Sequence, residues 1–156
     1  MQALFEEAVY RVLRRDLTPQ GIECRFQGPQ QSLLQDADGN HPARRMRPDI
    51  TLLTPDGRKI ILDCKWKLLD DEGDVKYQVS QADLYQLHTY ASEYKAHAVG
   101  LVYPWIPGLP EQPVQVRFST IGVPVWLVFV KMEAFDLKCR EILGRDLYPM
   151  ILETIA

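Results

Sequence analysis

The sequence predicts an α/β domain built on a mixed β-sheet flanked by helices. Three observations carry that expectation. The chain opens on an amphipathic segment, carries a strong hairpin signal over residues 47–65, and later shows two nearly unbroken apolar runs, Ala98–Tyr103 and Val123–Val130. Helical and strand patterns alternate along the chain instead of segregating, as layered α/β architectures require.

The elements follow in order. Residues 3–15 suit a helix, with Leu4, Phe5, Ala8, Val9, Val12 and Leu13 on one face at 3.6-residue spacing. Glu7 points away from that stripe, while Glu6 sits at its border beside Leu13, either as a solvated helix acid or as a carboxylate able to reach a site beside the core. After Pro19 and Gly21 comes a glutamine-rich stretch with two short strands, Ile22–Phe26 and Ser32–Gln35, closed by the turn Asp38-Gly39-Asn40. Leu52, Leu53, Ile60 and Ile61 belong to two β-rich arms around Thr54-Pro55-Asp56-Gly57, where Pro55 presets the turn and Gly57 tolerates positive φ. Residues Leu69–Val79 read as an acidic loop. Ser80 reads as an N-cap with Asp83 three residues on, opening a helix to about Lys95 whose stripe is Leu84, Leu87, Ala91 and Tyr94. Ala98–Tyr103 is an interior strand stopped by Pro104, and the proline-rich stretch from Trp105 to Pro113 is an extended loop. Val114–Phe118 and Val123–Val130 are further strands, with Pro124 near the start of the second. Residues Met132–Leu143 suit a closing helix, and Asp146–Ile155 a further turn or helix.

Bulk properties narrow the class. With 156 residues, 46% hydrophobic and 25% charged, the chain fits one globular domain spanning 1–156. A net charge of −3 gives no global attraction to nucleic acid, so any such binding needs a local basic patch. Cys24, Cys64 and Cys139 are odd in number and irregular in spacing, which fits a reducing, cytoplasmic setting. No apolar stretch is long enough to span a bilayer, so no membrane association is expected. His41, His88 and His97 lack ligand spacing, which argues against zinc.

The chemistry concentrates in the hairpin. Asp49 lies seven residues before Asp56 and Asp63 seven after, so a turn centred there sets the two carboxylates opposite each other. Opposed Cβ atoms lie about 4.5–5.5 Å apart, where like charges destabilise a sheet. Lys65 shares the face of Asp63 because side chains alternate. Two acids and a lysine on one face suggest a divalent cation, and hard oxygen ligands suit Mg²⁺. Lysine while protonated is no ligand; its role is to hold water or to stabilise charge on a phosphate. Such a set fits metal-assisted phosphodiester hydrolysis. Cys64, between the two, points to the opposite face and reads as a packing residue. Arg44, Arg45 and Arg47 precede the first arm and, with Lys65 and Lys67, form a basic margin suited either to phosphate contact or to solubility. Trp66 and Trp105 suit either base stacking or anchoring.

Pro48-Asp49 followed by Asp63-x-Lys65 resembles the PD-(D/E)xK nuclease signature of the restriction-endonuclease-like fold. The resemblance extends to Phe5-Glu6, Arg47-Pro48-Asp49-Ile50-Thr51-Leu52, Ile61-Leu62-Asp63-Cys64-Lys65-Trp66, Leu84-Tyr85-Gln86-Leu87-His88-Thr89-Tyr90 and Gly100-Leu101-Val102-Tyr103-Pro104. Together these look like the nuclease domain of the McrC family, the endonuclease subunit of the McrBC modified-cytosine restriction system. The resemblance implies a DNA endonuclease in antiviral defence. Asp49 and Asp63 would bind Mg²⁺ (Mn²⁺ as a substitute), with the backbone carbonyl of Cys64 as a third ligand. Lys65 would orient and activate the attacking water, and Glu6 would match the acid on the first helix. Gln86 and Tyr90 would match a Gln-x-x-x-Tyr motif that positions nucleic acid or the site, although Gln81 and Tyr85 have the same spacing. The family also implies a McrB-like GTPase partner, whose usual docking region this sequence does not include. A RecB- or Cas4-like exonuclease and a non-catalytic DNA-binding or assembly module that keeps the fold are the alternatives.

Overall fold

The structure is a computed structural model, which describes residues 1–39, 42–69, 79–131 and 151–154. The expected acidic loop falls largely outside the described residues, as do the closing helix and most of the segment after it.

The chain begins with helix α1 (Gln2–Leu17), which runs past the end of its apolar stripe, followed by a 3-10 turn (Thr18–Gln20). Strand β1 (Glu23–Phe26) leads to the hairpin β2 (Gln31–Gln35) and β3 (Pro42–Met46), then to β4 (Ile50–Leu53) and β5 (Lys59–Cys64). Helix α2 (Gln81–Glu93) crosses to β6 (Ala98–Pro104), and β7 (Val114–Arg117) and β8 (Pro124–Val130) complete the sheet. Six strands pair in the order β1-β4-β5-β6-β8-β7, while β2 and β3 form a separate two-stranded sheet. β5, β6 and β8 run parallel and the remaining pairings of the large sheet are antiparallel, a mixed sheet as expected.

Alternation along the central strands builds two cores. Ile60, Leu62 and Cys64 join Ala98, Val102, Trp126 and Val128 beneath α1, where Phe5, Val9, Val12, Leu13 and Leu17 pack. Ile61, Val99, Leu101, Tyr103, Leu127 and Phe129 face α2, which contributes Leu87, Tyr90 and Ala91, with Tyr94 at its C-cap. Strands covered on both faces explain why β6 and β8 read as unbroken apolar runs. Each fully buried aliphatic side chain there contributes about 1.5–3 kcal/mol. Gly100 reflects the tightness of the α1 side: a Cβ there would lie 2.9 Å from Leu62 Cδ2 and 3.3 Å from the Trp126 carbonyl.

Two sequence expectations need correction. Leu4 is 63% exposed and lies outside the stripe, because Phe5 is the first residue of α1 to enter the apolar core. Strand β3 was not expected. Its sequence, Pro-Ala-Arg-Arg-Met, has no apolar alternation to announce its pairing with β2.

Candidate functional site

The β4–β5 turn sets the site. Gly57 takes φ 85° and donates to the Thr54 carbonyl at 2.9 Å, while the Thr54 hydroxyl donates to Asp56. Ile50 pairs with Leu62 and Leu53 with Lys59, so the register runs symmetrically about Asp56 and carries Asp49 to the level of Asp63. The sequence-derived register therefore holds. Asp49 Oδ2 accepts the backbone N–H of Cys64 at 2.8 Å, extending the ladder one residue before β4 begins. Asp63 is 2% exposed, at the carboxyl end of β5, where open α/β sheets place their ligands.

Lys65 lies at the junction of β5 and α2. Its Nζ is 2.7 Å from Asp63 Oδ2, donates to Gln86 Oε1 at 2.9 Å, and lies 3.7 Å from Asp83 Oδ1. Gln86 in turn donates to the Tyr90 hydroxyl at 3.0 Å, and Tyr90 donates to the Arg47 carbonyl at 3.3 Å. The competing pair, Gln81 and Tyr85, also hydrogen-bonds, but at the surface, with Tyr85 64% exposed. Geometry thus selects 86/90 as the pair connected to Lys65. Glu6, 9% exposed, approaches from the α1 layer, and its charge acts on both Asp49 and Asp63.

Two residues at the site were missed by sequence reasoning. Asp83, read only as a capping-box residue, is 8% exposed and also forms ion pairs with Lys67 and Lys65 and accepts from the Tyr103 hydroxyl at 3.3 Å. Its signal was the spacing to Gln86: residues three apart share a helix face, and both reach Lys65. Gln2 was outside the predicted helix altogether. Its amide nitrogen donates to Glu6 at 2.7 Å and to the Cys64 carbonyl at 2.5 Å, and its oxygen accepts from Trp66 N–H at 2.6 Å. It ties α1 to the chain leaving β5, and its four-residue spacing to Glu6 was the available signal.

The basic margin divides. Lys67 is committed to Asp83 and stands 5.9 Å from the Tyr103 ring centre. Arg45 and Arg47 line a cavity with Gln86 and Tyr90, whereas Arg44 does not. Trp66 and Trp105 act as anchors: Trp66 packs on Phe5, and the Trp105 indole donates to the Leu109 carbonyl at 3.0 Å. Cys64 packs in the core, where burial raises its thiol pKa.

The electrostatics follow from crowding acids in a dry corner. Burial, then the Asp63 charge, pushes the Asp49 carboxyl up to about 7, against the lowering effects of the Cys64 N–H and Lys65. Burial also raises Asp63, with Lys65 opposing. For Lys65, burial pulls downward, but Asp63, Asp83 and Asp49 together push it above its ordinary value. It is therefore a fixed cation at neutral pH. Among the described residues, no three His, Cys, Asp or Glu side chains are grouped as a metal site. Two carboxylates and the Cys64 carbonyl nevertheless make an oxygen donor set of the kind Mg²⁺ accepts alongside several waters. Asp63 Oδ2 is buried, and among the described residues its one polar neighbour is the Lys65 ammonium at 2.7 Å. A buried carboxylate answered by a single ammonium, beside a second carboxyl raised by burial and like charge, fits a cation.

Over residues 1–104, a stretch that takes in every residue of this site, the chain matches the family described as McrBC 5-methylcytosine restriction system component. The chain belongs to that family. Among solved structures, this McrBC-family chain resembles one chain of the refined half-complex from the tetradecameric assembly of Thermococcus gammatolerans McrB AAA+ hexamers with bound McrC. The TM-score is 0.73 at 20% identity, covering 96% of this chain and 33% of that one. The two share a fold, and the chain spans about a third of that relative's length. The SPO1766 protein of unknown function from Silicibacter pomeroyi aligns at a TM-score of 0.39 and 14% identity, over 97% of this chain and 88% of its own. No curated protein matches the chain. Among the described residues no helix is long and apolar enough to cross a membrane.

Proposed function

We propose that this McrBC-family chain is a nuclease domain with a PD-(D/E)xK core that hydrolyses DNA phosphodiester bonds with Mg²⁺. The observation that carries the reading is Lys65 Nζ held 2.7 Å from Asp63 and 2.9 Å from Gln86, with Asp49 register-matched to Asp63 across the hairpin. Asp49, Asp63 and the Cys64 carbonyl would hold the ion, which when bound supplies concentrated positive charge at a phosphate oxygen and lowers the pKa of water.

The chain's own groups do the rest. Lys65, kept protonated by Asp63 and Asp83, donates toward oxygens on which negative charge develops and holds the incoming water in place. Gln86 fixes the Lys65 side chain, and Tyr90 fixes Gln86. Glu6 adds negative charge on the α1 side, and Gln2 steadies both Glu6 and the Cys64 carbonyl. Water oxygen forms a bond to phosphorus while one ester P–O bond breaks. The products are a phosphate monoester on one fragment and a hydroxyl on the other, the proton lost by the attacking water being matched, through solvent, by the one the leaving oxygen takes up.

By its family and its fold likeness, we extend to this chain a McrB-like AAA+ GTPase partner. That assembly would supply DNA choice, since the described residues of the site offer groups for phosphate, which carry no sequence information. The test is incubation of closed circular DNA with the chain and Mg²⁺, alone and with such a GTPase, with a chelator control. Open circles or linear molecules formed only with the divalent cation support the reading. Intact circles under every condition refute it.

A further inference from the structure

Beside the Asp49–Asp63–Lys65 centre lies a cavity of about 440 Å³, lined by Arg45, Met46, Arg47, Gln86, Thr89 and Tyr90. We infer that this cavity is the subsite for the backbone phosphate adjoining the one that is cut, with Arg45 and Arg47 as its anion-binding groups. The inference rests on the nuclease reading above and assigns it a strand path, between β3 and α2.

Four observations build the case. The cavity's walls are fixed: the Tyr90 hydroxyl donates to the Arg47 carbonyl at 3.3 Å, and the Tyr94 hydroxyl donates toward the carbonyls of Pro29 and Met46 at 2.7 and 3.0 Å. These two tyrosines, Tyr90 on α2 and Tyr94 capping its carboxyl end, hold the β2–β3 hairpin against the helix, so a ligand meets a preformed site. Among the described residues the polar lining is rich in donors and contains no carboxylate, which suits an anion. Arg45 and Arg47 have no carboxylate partner among the described residues, unlike Arg11, Arg15, Arg25 and Arg58. Planar guanidinium groups bind phosphate by paired hydrogen bonds, which makes phosphate the natural anion. Finally, Gln86 belongs to both places: it lines the cavity and accepts from Lys65 Nζ at 2.9 Å. An anion in the cavity therefore sits one residue away from the cation that faces the scissile group, as successive phosphates of one strand would. The left-handed Arg44, at φ 54°, lies between Ala43 and Arg45 on the same strand yet lines no part of the cavity, so a basic run alone does not explain the lining.

The experiment is fluorescence-anisotropy titration of a labelled DNA duplex, in Ca²⁺ to suppress cutting, at several salt concentrations. Wild type is compared with Arg45→Gln/Arg47→Gln, Arg44→Gln and Arg25→Gln. Each phosphate contact contributes roughly 0.9 to the slope of log K against log salt. Because both arginines meet one phosphate, the double variant is expected to lose about 0.9 from that slope and to bind about tenfold more weakly near physiological salt. Arg44→Gln and Arg25→Gln are expected to keep the wild-type slope. The substituted side chains are exposed, and an unchanged Tm for each variant excludes unfolding as the cause of weaker binding. An unchanged slope in the double variant overturns the subsite, as does a wild-type chain that does not bind the duplex. Mg²⁺-dependent cutting is scored separately. Cutting with an unchanged slope removes the subsite alone, whereas the expected slope loss without cutting removes the nuclease reading and leaves Arg45 and Arg47 as a backbone-phosphate site only.

Discussion

Replacing Asp49 with asparagine converts the crowding of acids into a measurable stability. The Asp49 carboxyl stands at about 7 in the folded chain against an ordinary 3.8, chiefly through burial and then through Asp63. For an acid whose folded pKa is raised, the native state binds more protons than the unfolded state between those two values. Unfolding free energy therefore falls as pH rises through that window, and the loss is complete above about 7. A rise from 3.8 to about 7 corresponds to roughly 4 kcal/mol at most. Asp49 is half-buried, and solvent screening reduces the expected effect to about 1–2 kcal/mol. In a domain of this size that is a Tm change of about 3–8 °C. The asparagine side chain keeps an oxygen to accept the Cys64 N–H but cannot ionise. Thermal melts in chelator from pH 4.5 to 7.5 should therefore show wild type losing Tm relative to Asp49→Asn by that amount as pH rises. Adding Mg²⁺ at pH 7.5 should restore the wild type and leave the variant nearly unmoved. Parallel pH profiles for the two proteins would refute the account of Asp49 as a carboxyl made costly by its surroundings.

Gly100→Ala should destabilise the fold by about 1–3 kcal/mol in urea melts, because its Cβ would stand 2.9 Å from Leu62 Cδ2 between two strands that cannot part. Asp83→Asn should lower the single-turnover cleavage rate about tenfold or more with little change in DNA affinity, since Lys65 and Lys67 lose a shared counter-charge. An unchanged rate would reduce Asp83 to a cap. Gln86→Ala should slow cleavage by a similar factor, on the order of tenfold, while Gln81→Ala should leave it unaltered. Equal rates for the two would remove the distinction that the Lys65 contact draws.

Much of the architecture was legible because the central strands leave little choice. Ile60, Ile61 and Leu62 feed opposite cores, so β5 had to be apolar on both faces, as did β6 and β8. The opposition of Asp49 and Asp63 was legible for a different reason: Pro55, Asp56 and Gly57 specify the turn, and the turn fixes the register. What escaped was held by contacts that have no local period. β3 is held because Tyr94 and Tyr90 pin the carbonyls of Met46 and Arg47 to α2, a tertiary cause that Pro-Ala-Arg-Arg-Met does not announce. Asp83 was concealed by a sufficient local explanation, since its backbone N–H does bond the Ser80 hydroxyl at 3.1 Å while its carboxylate serves the lysines. Lys67 looked like free positive charge for the same reason in reverse: its partner lies sixteen residues on.

The most direct measurement is the single-turnover rate of closed circular DNA cleavage in Mg²⁺ by wild type, Asp63→Asn and Lys65→Ala, each verified by its Tm to be folded. The account requires wild type to cut and both variants to lose activity by about a hundredfold or more. Variants that cut at the wild-type rate would contradict it, because the reaction would then proceed without the buried carboxylate and the cation held against it.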